Sequence, residues 1–175
     1  MDIDQLRYPV GKYAPPTNPT ALEIKEWIDE IKALPDLVEK EIVTMSPSDM
    51  KKPYRPDGWN STQVIHHLAD SHMNSFVRFK LSMTEDHPTI TPYLENEWAK
   101  MPDENELDAR VSLELLKALH TRWTYMLDRI SLEDLQSRGY FHPEQKRVVP
   151  LVNAVALYAW HCRHHLAHIR IAKNA

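Results

Sequence analysis

Trp160-His161-Cys162-Arg163-His164-His165-Leu166-Ala167-His168 decides how this chain is read, because it places four of the ten histidines in one short run within a helical pattern. Around it, Leu151, Ala154, Val155, Tyr158, His161, His165, Ile169 and Ala172 share one broad face at roughly 100° per residue, with Arg163 and Arg170 well away from its centre. Pro150 suits the first turn of this helix, where a missing N–H matters least. His161 and His165 stand one turn apart and face inward, whereas His164 falls off that face and His168 lies at its edge. Two inward imidazoles need partners, since a buried unpaired polar group costs about 1–3 kcal/mol. One shared divalent ion would satisfy both.

Outward from that stretch, the composition supports an all-α fold. The 175 residues are 42% hydrophobic, enough for one domain with a sizeable core. Only 3 glycines against 13 prolines favour long helices joined by Pro-marked connections. Residues 1–19, with Pro9, Gly11, Pro15, Pro16 and Pro19, read as an extended arm tied down by Tyr8 and Tyr13, and residues 20–175 as a single helical bundle domain. A net charge of −4 without a basic block gives no footprint for nucleic acid or an anionic membrane, so a small-molecule or protein partner is expected. Cys162, the single cysteine, can form no internal disulfide and reads as a buried, inert thiol. With no signal-like start and no run of about 18 apolar residues, the expected location is cytoplasmic.

The other helices follow from periodicity. Leu22, Trp27, Ile28, Ile31, Leu34, Val38, Ile42 and Met45 predict a long helix from Thr20, kinked or interrupted at Pro35. After a loop over 46–58, Asn60 or Ser61 can cap a helix running to about Glu85. On its wheel His67 heads a polar stripe of Ser71, Asn74, Arg78 and Ser82, opposite Ile65, Ala69, Met73, Phe76, Phe79 and Met83. That stripe is either a solvated face or the wall of a wet pocket, in which Ser71 and Asn74 would offer hydrogen bonds and Arg78 a fork for an anionic group. His66, with Asp70 at i+4, reads as a local surface pair. Residues 86–110 predict a long connection with at most a short helix near 94–100. Ser112 is the expected cap of a helix carrying Leu113, Leu116, Leu119, His120, Trp123, Leu127 and Ile130, with His120 a satisfied core histidine. Residues 131–149 begin with a helical turn and continue as a loop or small hairpin.

A catalytic zinc site takes three protein ligands and keeps a position open. His67 is the natural third ligand, but His66, His72 and His120 compete and spacing does not choose among them. The His-x-x-x-His pair also lacks the glutamate that a zincin protease places after its first histidine.

The segments Tyr8 to Gly11, Pro53-Tyr54-Arg55, Gly58-Trp59, His66 to Asn74, Arg78-Phe79-Lys80, His120 to Trp123 and Trp160 to His168 together resemble the DinB/YfiT superfamily over nearly the whole chain. The resemblance implies a four-helix bundle with long connections, a homodimer, and one divalent ion per chain, zinc or nickel, held by His67, His161 and His165. It also implies a metal-dependent hydrolase that activates water. Thiol S-transfer with a low-molecular-weight thiol such as bacillithiol is the alternative that relatives in the same superfamily suggest. A non-catalytic dimer whose ion only fastens two helices is a third reading, marked by a fourth ligand from His72 or His120. Ser71, Asn74 and Arg78 are the substrate-binding candidates, and no general base is evident, Asp70 being the one carboxylate near the stripe.

Overall fold

The computed structural model describes residues 2–175; Met1 lies outside them. The elements in chain order are α1 (Ile3–Arg7), α2 (Ala21–Ile42), α3 (Pro47–Met50), α4 (Ser61–Thr84), α5 (Glu95–Trp98), α6 (Pro102–Glu106), α7 (Ala109–Leu127), α8 (Leu132–Ser137), β1 (Gly139–His142), β2 (Arg147–Pro150) and α9 (Leu151–Lys173). The four long helices form a bundle in which α2 packs on α7 and α9, and α4 packs on the same two. No helix among the described residues is long and apolar enough to cross a membrane.

Three of the four long helices, α2, α4 and α7, start at a side-chain cap that takes up a first-turn N–H, whereas α9 follows Pro150 without one. Thr20 and Glu23 make a reciprocal capping box on α2, and Asn60 and Gln63 make one on α4. Helix α2 buries Ile24, Ile28, Ile31, Leu34, Pro35, Val38 and Ile42, and it runs through Pro35 without a break. Helix α4 is enclosed on more than one side: besides Val64, Ile65, Leu68, Ala69 and Phe79 it buries Ser71, His72, Ser75 and Ser82. The hairpin β1–β2 feeds straight into α9, and the pairing of Gly139 with Pro150 brings the strands so close that a Cβ on Gly139 would lie 2.4 Å from the Val149 carbonyl oxygen.

Several expectations are corrected. Asp108, not Ser112, caps α7, its carboxylate accepting from the Arg110 N–H at 2.9 Å. Ser112 instead lies inside the helix, its Oγ 2.7 Å from His66 Nδ1. His66 is therefore buried at 3% exposure and joins α4 to α7 rather than pairing with Asp70 at the surface. The connection over 86–110 holds two short helices; the second, α6, opens with Pro102 at its first position and Asp103 and Glu104 in its first turn, which suits a helix N-terminus. The N-terminal arm is not extended throughout, since Asp2 and Gln5 cap the single turn α1 before Pro9.

The arm is fastened across α9. Tyr13 Oη donates to the Asn153 carbonyl at 3.0 Å, and Trp160 Nε1 donates to the Gly11 carbonyl at 3.0 Å. Gly11 holds φ at +79°, a left-handed conformation that glycine adopts without strain. Tyr13→Phe removes one net hydrogen bond of about 1 kcal/mol. The expected result is hydrogen exchange at the arm amides faster by about fivefold with the global melting temperature unchanged; unaltered exchange would show that the arm is held elsewhere.

Candidate metal centre

α4 and α9 are antiparallel neighbours in the bundle, and their facing histidines meet near the N-terminal third of α4. His67 Nε2 stands 3.2 Å from His161 Nε2. One ligand atom from each of His67, His161 and His165 lies within 4.8 Å of the others. Two imidazole nitrogens bound to one tetrahedral zinc at about 2.0–2.1 Å stand about 3.3 Å apart, so this donor set fits a divalent ion. The rings are steadied from the sides: Trp59 lies 4.8 Å from His67 and the His161 and His165 rings are 4.4 Å apart.

Electrostatics keep the set in its ligating form. Burial, with His164 a smaller contributor, holds His67 down to about 4. Burial also pushes His161 and His165 well below the ordinary imidazole value, and neighbouring histidines add to it. Neutral rings keep a lone pair for a cation.

The three nitrogens open on a cavity of about 400 Å³, lined also by Arg7, Tyr8, Arg55, Glu95, His164 and His168. His164 stacks on Trp160 at 4.4 Å and His168 on Tyr54 at 3.8 Å. His164, His165 and His168 form a second close group, but all three belong to one helix and His165 is shared with the first. The first group draws on two helices, so an ion there also fastens α4 to α9.

His67, His161 and His165 are thus brought together. Ser71, Asn74 and Arg78 are not part of the cavity wall. Ser71 sits one turn beyond His67, where the Tyr158 hydroxyl donates to its carbonyl at 3.0 Å. Asn74 Nδ2 donates to the Asp70 carbonyl at 2.9 Å, and the Arg78 guanidinium lies 5.9 Å from the Tyr140 ring. Asp70 is also absent from the wall: its pKa is raised, mainly by burial, and the neighbouring Glu104 is pushed up to about 8 by burial and by Asp70. The carboxylates that do line the cavity are Asp57 and Glu95. Asp57 comes from the loop after α3, a short helix that the expected 46–58 loop holds, and Glu95 from α5, segments without periodicity. His72 and His120 lie behind the ligands, 0% and 2% exposed. Cys162 is buried, and burial pushes its thiol up, as an inert core cysteine requires.

Residues 30–169 match the family described as the DinB superfamily. The chain belongs to the DinB superfamily. Among DinB relatives, a Bacillus subtilis (strain 168) protein named "Putative metal-dependent hydrolase YfiT" is 43% identical over 169 residues, covering 97% of this chain and 94% of its own. A Bacillus cereus (strain 03BB102) protein named "Putative metal-dependent hydrolase" is 46% identical over 167 residues, covering 95% of each chain. A solved DinB structure, described as "YfiT from Bacillus subtilis is a probable metal-dependent hydrolase with an unusual four-helix bundle topology", superposes with a TM-score of 0.93 at 41% identity over 97% of each chain. The all-α four-helix bundle read from the sequence is the fold of this DinB chain.

Proposed function

We propose that this DinB protein is a metal-dependent hydrolase acting on a small substrate that carries an anionic group, with one zinc or nickel ion held by His67, His161 and His165. The observation that carries the reading is the three-nitrogen group at the wall of an open cavity. Three ligands with room beside them suit a catalytic ion, whereas a structural zinc is closed by four. His72 and His120, whose ligation would have marked a structural site, are engaged with other partners. A bound ion would supply Lewis acidity that brings water to its nucleophilic form near neutral pH and polarises a carbonyl or phosphoryl oxygen. Arg7 and Arg55 line the same cavity and would orient a carboxylate or phosphate; the Arg55 Nε–H is buried without a partner among the described residues. Glu95, which lines the same cavity from α5, would accept a proton during attack. The homodimer expected from the family resemblance belongs to this proposal too, and light scattering at a mass of two chains is its check.

The test offers the metal-loaded protein a panel of anionic esters and amides, and separately an electrophile such as monochlorobimane with and without bacillithiol, cysteine or glutathione. The expected result is hydrolysis independent of added thiol and lost on chelation and in His165→Ala. Turnover that requires a thiol would replace the hydrolase with an S-transferase using the same ligands.

A further inference from the structure

The second role for histidines in this bundle begins at Pro35. Proline has no N–H, so in α2 the carbonyl of Ile31, four residues earlier, is left without a helical donor. A side chain from α7 takes it: His120 Nδ1 lies 2.6 Å from the Ile31 oxygen. Imidazoles follow in a row from that contact. His120 Nε2 is 2.8 Å from His72 Nδ1, and His72 Nε2 is 3.0 Å from His161 Nδ1. The far nitrogen of His161 is the one that faces His67 across the cavity wall. The His72 and His120 rings lie within 6° of parallel, and the Trp123 ring stands edge-on to both.

The row has a direction, and the carbonyl sets it. An amide oxygen only accepts, so the proton of the first contact belongs to His120 Nδ1. A neutral imidazole carries one N–H, so His120 Nε2 accepts and the next proton sits on His72 Nδ1. The same step places the third on His161 Nδ1. His161 Nε2 is then left bare, with its lone pair at the cavity.

We propose that Pro35, His120 and His72 are positioning residues for His161: the carbonyl that Pro35 leaves free polarises a three-imidazole hydrogen-bond row that fixes His161 as the tautomer able to bind a metal through Nε2. The inference rests on the reading of His67, His161 and His165 as the metal site. Three of the four bundle helices, α2, α7 and α4, thereby act on a ligand carried by the fourth. Partners on the far nitrogen of a ligating histidine are typically worth about 10–100-fold in metal affinity.

Two measurements test it. In metal-free protein, nitrogen-15 NMR of the imidazole rings is expected to show His120, His72 and His161 all protonated at Nδ1; His161 protonated at Nε2 overturns the proposal. Zinc affinity by chelator competition is then compared among wild type, His120→Leu, His120→Gln and Pro35→Ala. The leucine variant is expected to bind about 10–100-fold more weakly. The glutamine variant keeps an oxygen to accept from His72 Nδ1–H and is expected to recover most of that loss. Pro35→Ala returns an N–H to the Ile31 carbonyl and favours the helix, so a smaller loss is expected there, with the helical signal and melt kept as a control for the buried ring it removes. Affinity equal to wild type in that variant takes Pro35 out of the row. Equal affinity in His120→Leu and wild type, or equal losses in the leucine and glutamine variants, overturns the row. Wild type without zinc affinity would overturn the metal site alone, and the tautomers would still decide the row.

Discussion

His161→Ala is expected to reduce bound metal from about one ion per chain to near none, while the bundle stays folded. Four-ligand zinc sites in small peptides bind with about 10–16 kcal/mol, so an equal share per ligand is about 2.5–4 kcal/mol, or two to three decades of affinity. His161 stands at the centre of the group: it faces His67 at 3.2 Å, and its ring lies 4.4 Å from that of His165. It also keeps part of its surface open to the cavity, so truncating it enlarges a wet space rather than hollowing the apolar core, and the cost to the metal-free chain is chiefly the lost bond to His72, about 1–3 kcal/mol, which a domain of ordinary stability survives. His67→Ala is expected to behave alike, since it removes the ligand that α4 contributes. The measurement is elemental analysis after dialysis, paired with a thermal melt. Metal content equal to wild type in both variants would sink the site. A second consequence separates ligation from folding: added zinc should raise the melting temperature of wild type, because an ion that binds only the folded chain stabilises it by mass action, and it should leave either variant unmoved.

The parts of this site that were legible in the sequence are those where periodicity and chemistry coincide. His161 and His165 lie on the inner face of a helix whose apolar residues define that face, and Asn60 with Gln63 announces the start of α4. What periodicity reports is direction around a helix, not depth within the bundle. On α4 the polar stripe gave two readings that a wheel cannot separate, because a helix enclosed on several sides buries serines and histidines as well as leucines. Ser71 and Ser82 are accordingly buried and bonded within the bundle. The same limit made His66 look like a surface residue, though its partners Ser112 and Leu107 come from more than forty positions away. Arg7, Arg55 and Glu95 reach the cavity from an arm, a loop and a single helical turn, where nothing local marks the direction of a side chain. The ring and missing N–H of Pro35 predict a kink or interruption, yet α2 runs through it. Its consequence, a free carbonyl that His120 occupies, depends on a helix eighty-odd residues later.

Acid should unfold the metal-free protein at an unusually high pH for a helical bundle. His67, His120 and His164 are held at about 4 and His168 at about 3, in each case chiefly by burial. In the unfolded chain the same rings titrate near 6.5. Between those values the unfolded state binds more protons than the folded one, so stability rises with pH across the window and falls as the solution is acidified through it; above about 6.5 the contribution is fully present. Each such ring destabilises the fold by about 1.4 kcal/mol per pH unit below 6.5, or about 2 kcal/mol at pH 5. His72, His161 and His165, pushed lower still by burial and by one another, add in the same direction. Because the rings share partners, their effects do not simply add, but even three or four of them approach the 5–15 kcal/mol that holds a typical domain together. The expected acid midpoint, followed by circular dichroism in the presence of a chelator, therefore lies between about pH 4 and pH 6. Zinc competes with protons for His67, His161 and His165, so the loaded protein should unfold at lower pH than the chelated one. A chelated protein that keeps its full helical signal at pH 4 would show that these imidazoles take up protons in the folded bundle, which the packing of His72 and His120 at 0% and 2% exposure opposes.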